Sequence, residues 1–175
     1  MKKLLLSICT ATLLCNALQA EDLTRYVKPL VGTDGYGNVY PGAQIPFGGI
    51  QISPDTDNRF YDAASGYKYN HTSIQGFSLT HLSGTGIPDL GDFLFVPGVG
   101  EAKLVPGTRE NPDEGYRSRY SHDKEWASPN YYAVELEDYG VKAEMTAGLR
   151  SGMLRFTYPE SDKAFVMIDM NRDFW

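Results

Sequence analysis

The chain has 175 residues, with 16 Lys and Arg against 22 Asp and Glu, for a formal net charge of −6. An acidic chain of this size is a poor partner for nucleic acid or for anionic lipid, because both demand a surplus of positive charge. Twelve tyrosines and eight phenylalanines, set among 18 glycines and ten prolines, predict short strands joined by many turns.

The amino terminus comes first. Lys2 and Lys3 precede an apolar stretch from Leu4 to Cys15 that closes near Ala17 and Ala20. This is the layout of a secretory signal peptide over residues 1–20. The stretch is interrupted by Ser7, Thr10 and Thr12 and falls short of the roughly 20 apolar residues that an integral membrane span needs. Cleavage would remove both cysteines, Cys9 and Cys15, leaving no thiol for a disulfide, a nucleophile or a zinc site. It would also remove two basic residues and no acidic ones, moving the balance from −6 to −8. The product is expected outside the cytoplasm, in a periplasmic or extracellular space. Residues 21–175 are long enough for one domain with a proper core.

Beyond the leader no segment carries apolar residues at helical spacing for three turns. Strands are expected at Phe47–Ser53, Ser65–Tyr69, Ile74–Thr80 and Phe93–Pro97, separated by loops rich in Gly, Asp and Pro. Charge density rises from Thr108 to Glu125, which predicts an exposed connection or sheet edge. The clearest pattern follows. Tyr132, Val134 and Leu136 alternate with Ala133, Glu135 and Glu137, the chain turns at Asp138-Tyr139-Gly140, and Val141, Ala143, Met145 and Ala147 alternate with Lys142, Glu144 and Thr146. That is an antiparallel hairpin with one dry face and one wet face. Leu154, Phe156 and Tyr158 continue the alternation up to Pro159. Ala164 to Met170 is nearly continuous apolar sequence, which predicts a strand covered on both sides. The fold class is all-β, an antiparallel β-sandwich. The sequence ends at Asn171-Arg172-Asp173-Phe174-Trp175, straight after that apolar strand, so more protein is expected to follow.

Several motifs invite chemistry. Asp55-Thr56-Asp57-Asn58 resembles the start of a calcium loop, but Phe60 stands where the sixth-position glycine belongs, and an Asx turn accounts for the segment. Gly32-x-x-Gly35-x-Gly37 is followed by no lysine and no helix, so it reads as a strand connection and not a phosphate loop. Asn70-His71-Thr72 matches a glycosylation acceptor, a pattern common by chance. The densest grouping is Gly76 to Asp92, where a strand runs into hydroxyls, an imidazole and carboxylates. Such groups with nearby aromatic faces suit a neutral sugar. They equally suit the satisfaction of a buried loop's own backbone, and composition leaves both readings open. His81 lies near Ser78 and Ser83, but no Gly-x-Ser-x-Gly elbow is present to support nucleophilic catalysis.

The segments Gly32-Thr33-Asp34-Gly35-Tyr36-Gly37-Asn38-Val39-Tyr40-Pro41-Gly42-Ala43, Pro46-Phe47-Gly48-Gly49-Ile50-Gln51-Ile52-Ser53-Pro54-Asp55-Thr56, Ser65-Gly66-Tyr67-Lys68-Tyr69 and Gly76 to Asp92 carry a resemblance that covers nearly all of the chain after the leader. Ala127 to Tyr132 and Asp138 to Glu144 extend it. Together they resemble the amino-terminal domain of glycoside hydrolase family 92, exported calcium-dependent exo-α-mannosidases. The resemblance implies an amino-terminal β-sandwich packed on a carboxy-terminal (α/α)6 barrel, with a mannose-containing glycan hydrolysed with inversion in the cleft between them. The catalytic carboxylates and most calcium ligands belong to the barrel, so no catalytic residue and no metal ligand is assigned here. A role in lining the cleft is carried over to His81, Ser83, Thr85, Asp89 and Asp92, with Asp34 and Asn38 from the first glycine-rich loop. Leu79 and Ile87-Pro88 depart from the family pattern in that loop. By itself the chain is expected to be inactive; the alternatives are a free-standing carbohydrate-binding β-sandwich module, which the tyrosine content and β pattern alone support, and a non-functional gene fragment.

Overall fold

A computed structural model describes residues 21–57, 61–84, 91 and 93–170. The expected leader, Met1 to Ala20, lies outside them. The described elements are almost entirely strands, antiparallel throughout, in two main sheets and one small one. The first sheet has the order β1 (Ala43–Gln44), β2 (Gln51–Asp55), β4 (Gly76–Ser78), β5 (Leu94–Val99), β11 (Ala164–Asp169). The second is a meander of β7 (Glu125–Ser128), β8 (Tyr131–Leu136), β9 (Val141–Ala147) and β10 (Gly152–Thr157). A two-residue pair, β3 (Ser73–Ile74) and β6 (Ser118–Arg119), forms the third.

The meander follows from its alternation. With Leu136 opposite Val141 and Tyr132 opposite Met145, every second residue of β8 and β9 faces inward, and Gly140 at φ +62° closes the turn. Those inward residues meet Ile52 and Phe77 of the first sheet in one core that also takes Tyr67, Ile74 and Tyr120. Burial of a side chain such as Phe77, fully enclosed here, stabilises by about 1.5–3 kcal/mol. A smaller cluster of Leu94, Val96 and Tyr116, with Met167 against it, covers part of the other face of β5. Gly42 lets β1 lie against β2, since a Cβ there would sit 2.0 Å from the Ile52 carbonyl oxygen.

Four expectations are corrected. The Ala164 strand is covered on one side only: Met167 packs on the Leu94 cluster, whereas Val166 and Ile168 on the opposite face are 48 and 53 % exposed, since among the described residues no layer packs over them. Ser65–Tyr69 is no strand but a largely buried turn, in which Gly66 (φ +85°) accepts the Thr56 and Asp57 amides through its carbonyl. The stretch expected at Ile74–Thr80 is split between two sheets at Gln75, whose amide bonds to the Asp55 carbonyl instead. Thr108–Glu125 is not simply exposed, since Tyr116, Arg117 and Ser118 are buried; the Arg117 guanidinium donates to Ser73 Oγ (2.9 Å). Pairing of long polar side chains hides charge that a sequence count takes for surface.

Candidate functional site

The sequence-predicted residues separate into three groups. Thr85, Asp89 and Asp92 lie outside the described residues. His81 is buried, at the centre of a network between β2 and β4. Its Nδ1 donates to the Gln51 carbonyl (2.7 Å), and its Nε2 meets Asp55 Oδ1 (2.9 Å) and Ser78 Oγ (3.1 Å). Ser78 Oγ donates to Asp55 Oδ2 at 2.6 Å. The Gln51 carbonyl only accepts and the serine proton is directed to Oδ2, so one proton is shared in the His81–Asp55 contact. Although these are the residue types of a hydrolytic triad, Ser78 is fully enclosed. The network fixes the exit of β4; it does not present a nucleophile.

Ser83 and Asp34, which are exposed, and Asn38, which is half-buried, form the third group. The loop of residues 79–84 returns beside the glycine-rich loop, and the Gly84 amide donates to the Asn38 carbonyl (2.6 Å), which ties the two loops together. Asn38 adopts φ +46°, a left-handed conformation that asparagine tolerates well. Its side-chain Oδ1 is buried and meets no donor among the described residues. Asp34 is exposed, and its carbonyl accepts the Gly37 amide at 3.3 Å.

Ser83 stands on the rim of an open groove of about 460 Å³, lined also by Lys28, Tyr40, Gln44, Phe47 and the Ser128–Asn130 turn. Tyr40 packs its ring 5.2 Å from that of His81 and donates its hydroxyl to Gln44 (2.6 Å), and burial pushes its phenol up to about 12. Phe47 is fully exposed at φ +60°, a strained backbone for an aromatic residue. The aromatic lining escaped the sequence reading because Tyr40 and Phe47 lie 36 and 29 positions before the start of the Gly76–Asp92 block. The Gly84–Asn38 bond and the β1–β2 turn bring them to Ser83. The signal present in the sequence was the Tyr40-Pro41-Gly42 and Pro46-Phe47-Gly48 pair of turns.

A second polar cluster was not foreseen. The Glu125 carboxylate, at the start of β7, has no exposed surface. Its Oε1 accepts the hydroxyls of Tyr67 (2.8 Å) and Tyr132 (2.5 Å), and its Oε2 meets His122 Nδ1 (2.5 Å). His122 Nε2 donates to the Tyr69 carbonyl (2.8 Å), and its ring stacks on Tyr69 at 3.9 Å. Burial and the neighbouring carboxylate hold the Tyr67 and Tyr132 phenols far above their ordinary range. On the other side, Arg109 donates to His71 Nε2, so that Nδ1 carries the ring proton and donates to Thr56 Oγ1 (2.9 Å). Arg109 also pairs with Asp57 (3.3 Å). The Asp55 and Asp57 carboxylates are thus engaged by protein groups, and among the described residues no three His, Cys, Asp or Glu side chains assemble into a metal site.

An antiparallel β-sandwich whose loops carry hydroxyl, amide and aromatic groups around an open groove is the class of protein that these observations define. Residues 26–174 match the model of the glycosyl hydrolase family 92 N-terminal domain, and the chain belongs to that family. It is similar to the family GH92 α-mannosidase BT3965 from Bacteroides thetaiotaomicron, solved in complex with mannoimidazole, with 84 % identity over 89 % of this chain and a TM-score of 0.86. It also resembles the inverting family GH92 mannosidase BT2199 from the same organism, at 26 % identity over 86 % of this chain and a TM-score of 0.66. A protein described as an uncharacterized secreted glycosidase from Arthroderma benhamiae is 30 % identical over 89 % of the chain. The chain spans about a fifth of the length of each of these three proteins, 20 % in each case.

Proposed function

We propose that this chain is the amino-terminal cleft domain of an exported exo-α-mannosidase that removes terminal α-mannose from glycans with inversion. The observation that carries the reading is the convergence of Ser83, Tyr40 and Phe47 on one groove, beside the tied loop of Asp34 and Asn38, in a chain 84 % identical to part of an α-mannosidase. A sugar ring offers an apolar C–H face and a rim of hydroxyls. Aromatic side chains receive the first, and serine, asparagine and glutamine the second. A buried acceptor such as Asn38 Oδ1 costs about 1–3 kcal/mol unless a donor meets it, and a sugar hydroxyl is such a donor. Thr85, Asp89 and Asp92 follow Ser83 closely in the sequence and are assigned the same lining role. His81 acts as a positioning residue through Asp55 and Ser78.

In this reading the general acid, the general base and the calcium ion belong to a helical barrel carboxy-terminal to the sandwich. The metal would supply Lewis-acid chemistry there, and this chain's own residues bind and orient the mannose. Residues 1–20 serve as the export signal.

The test pairs two preparations, the gene product carrying all that follows Trp175 and the 175-residue chain alone, each assayed for mannose release from a disaccharide with and without a chelator. The first should release β-mannose in a chelator-sensitive manner and the second should release none. Release by the 175-residue chain, or none by the complete product, overturns the assignment.

A further inference from the structure

The outer face of the β7–β10 sheet holds a second feature, whose lining shares no residue with the groove. Cross-strand pairing sets Trp126 opposite Ala133 and Ala133 opposite Glu144, which faces Arg155, in one row across four strands. The floor of the row is therefore a single methyl group between large neighbours. Around it a depression of about 460 Å³ is walled by Trp126, Tyr131, Lys124, Glu135 and Lys142. Trp126 is 63 % exposed. An exposed indole beside a small-residue floor is open to the flat face of a ring.

The charges on this face cancel and hold one another in place. Lys124 pairs with Glu135 (2.8 Å) and Glu137 (3.5 Å), and Lys142 with Glu144 (3.2 Å). Arg155 makes a two-pronged contact with Glu144 (2.9 and 2.8 Å), and Tyr131 donates to it at 2.6 Å. Three cations and three carboxylates leave no net field to select an ionic ligand. Instead they leave donors and acceptors grouped beside the indole, which suits the hydroxyls of a neutral polyhydroxylated ligand. A protein partner would have to bury these ion pairs away from water, an unfavourable step that a sugar small enough to keep them wet avoids.

We propose that this face is a saccharide-binding platform for neutral hexose polymers, with Trp126 as the stacking residue and Lys124, Glu135 and Lys142 as hydroxyl partners. The platform keeps the polymer beside the protein while single residues are handled elsewhere. The choice of mannan as probe rests on the function proposed above.

The test is affinity electrophoresis of the 175-residue chain in native gels with and without soluble α-mannan. The wild-type chain should be retarded by mannan. Trp126→Ala should weaken that retardation about tenfold, the loss expected for removing a stacked aromatic anchor, and Trp126→Phe should recover part of it. Tyr40→Ala, which alters the groove and its support by His81 but touches no residue of the platform, separates the two readings. If retardation survives Trp126→Ala and disappears in Tyr40→Ala, the platform is overturned and the groove assignment stands. Absence of wild-type retardation also overturns the platform, while mannose release by the complete gene product tests the functional reading independently. If Trp126→Ala changes only self-association in sedimentation, the face is a protein contact and the proposal fails.

Discussion

Replacing Glu125 by glutamine tests whether the buried carboxylate is held by charge or only by shape. Glutamine keeps the size of the side chain, and its carbonyl can still accept from Tyr67 and Tyr132, the partners of Oε1 in the native chain. Its amide would then face His122 Nδ1, and a neutral ring protonated at Nε2 would accept that donor while keeping its bond to the Tyr69 carbonyl. All three contacts survive, but each changes from charge-assisted to neutral. Such bonds fall from about 1.5–3 to about 0.5–1.5 kcal/mol, so the loss is about 1 kcal/mol per bond and about 3 kcal/mol in all. For a domain near 150 residues that corresponds to a fall in Tm of about 6–12 °C. Thermal unfolding followed by circular dichroism measures the fall, and nitrogen chemical shifts of His122 report the single-proton tautomer. Glu125→Leu should cost more, because two phenols and an imidazole then lose their acceptor. A fall of less than about 2 °C for Glu125→Gln, within the range of ordinary surface changes, would refute the reasoning.

Other outcomes follow from single positions. Arg155 and then Tyr131, through their hydrogen bonds, hold the Glu144 carboxyl down at about 2 from an ordinary value of 4.5. Its contribution is therefore complete above pH 4.5 and is lost as pH falls toward 2. Glu144→Gln should flatten the acid limb of the Tm against pH curve across that window and leave the shape near neutrality unchanged. Gly66→Ala would set a Cβ 2.2 Å from Asp55 Oδ1 on a backbone at φ +85°. The left-handed conformation alone costs about 1–2 kcal/mol, so a larger loss is expected, together with altered His81 imidazole signals; an unchanged Tm counts against the network. Phe47→Gly should stabilise by about 0.5–1 kcal/mol, since relief of left-handed strain exceeds the added freedom of the unfolded chain and no buried surface is lost. The same change should lower mannose release by the complete gene product if the exposed ring contacts substrate, and unaltered release removes Phe47 from the groove's function.

What the sequence determined is clearest in the second half. From Tyr131 to Thr157 the alternation of apolar and polar residues has period two, a one-residue slip would turn every core residue outward, and the register observed is the one the pattern requires. The family motifs likewise lie in the sequence itself and are matched over residues 26–174. Tertiary structure decided what these residues do for one another. Whether His81 is a ligand or an internal strut depends on Asp55 and Gln51, which lie 26 and 30 positions away. Whether Glu125 is surface charge or buried anchor depends on Tyr67, 58 positions away. Local periodicity records which face of a strand is dry, because that is a property of neighbours in the chain. It carries no record of which distant donor will meet a buried acceptor, and the polar networks and the groove are built from such distant pairs.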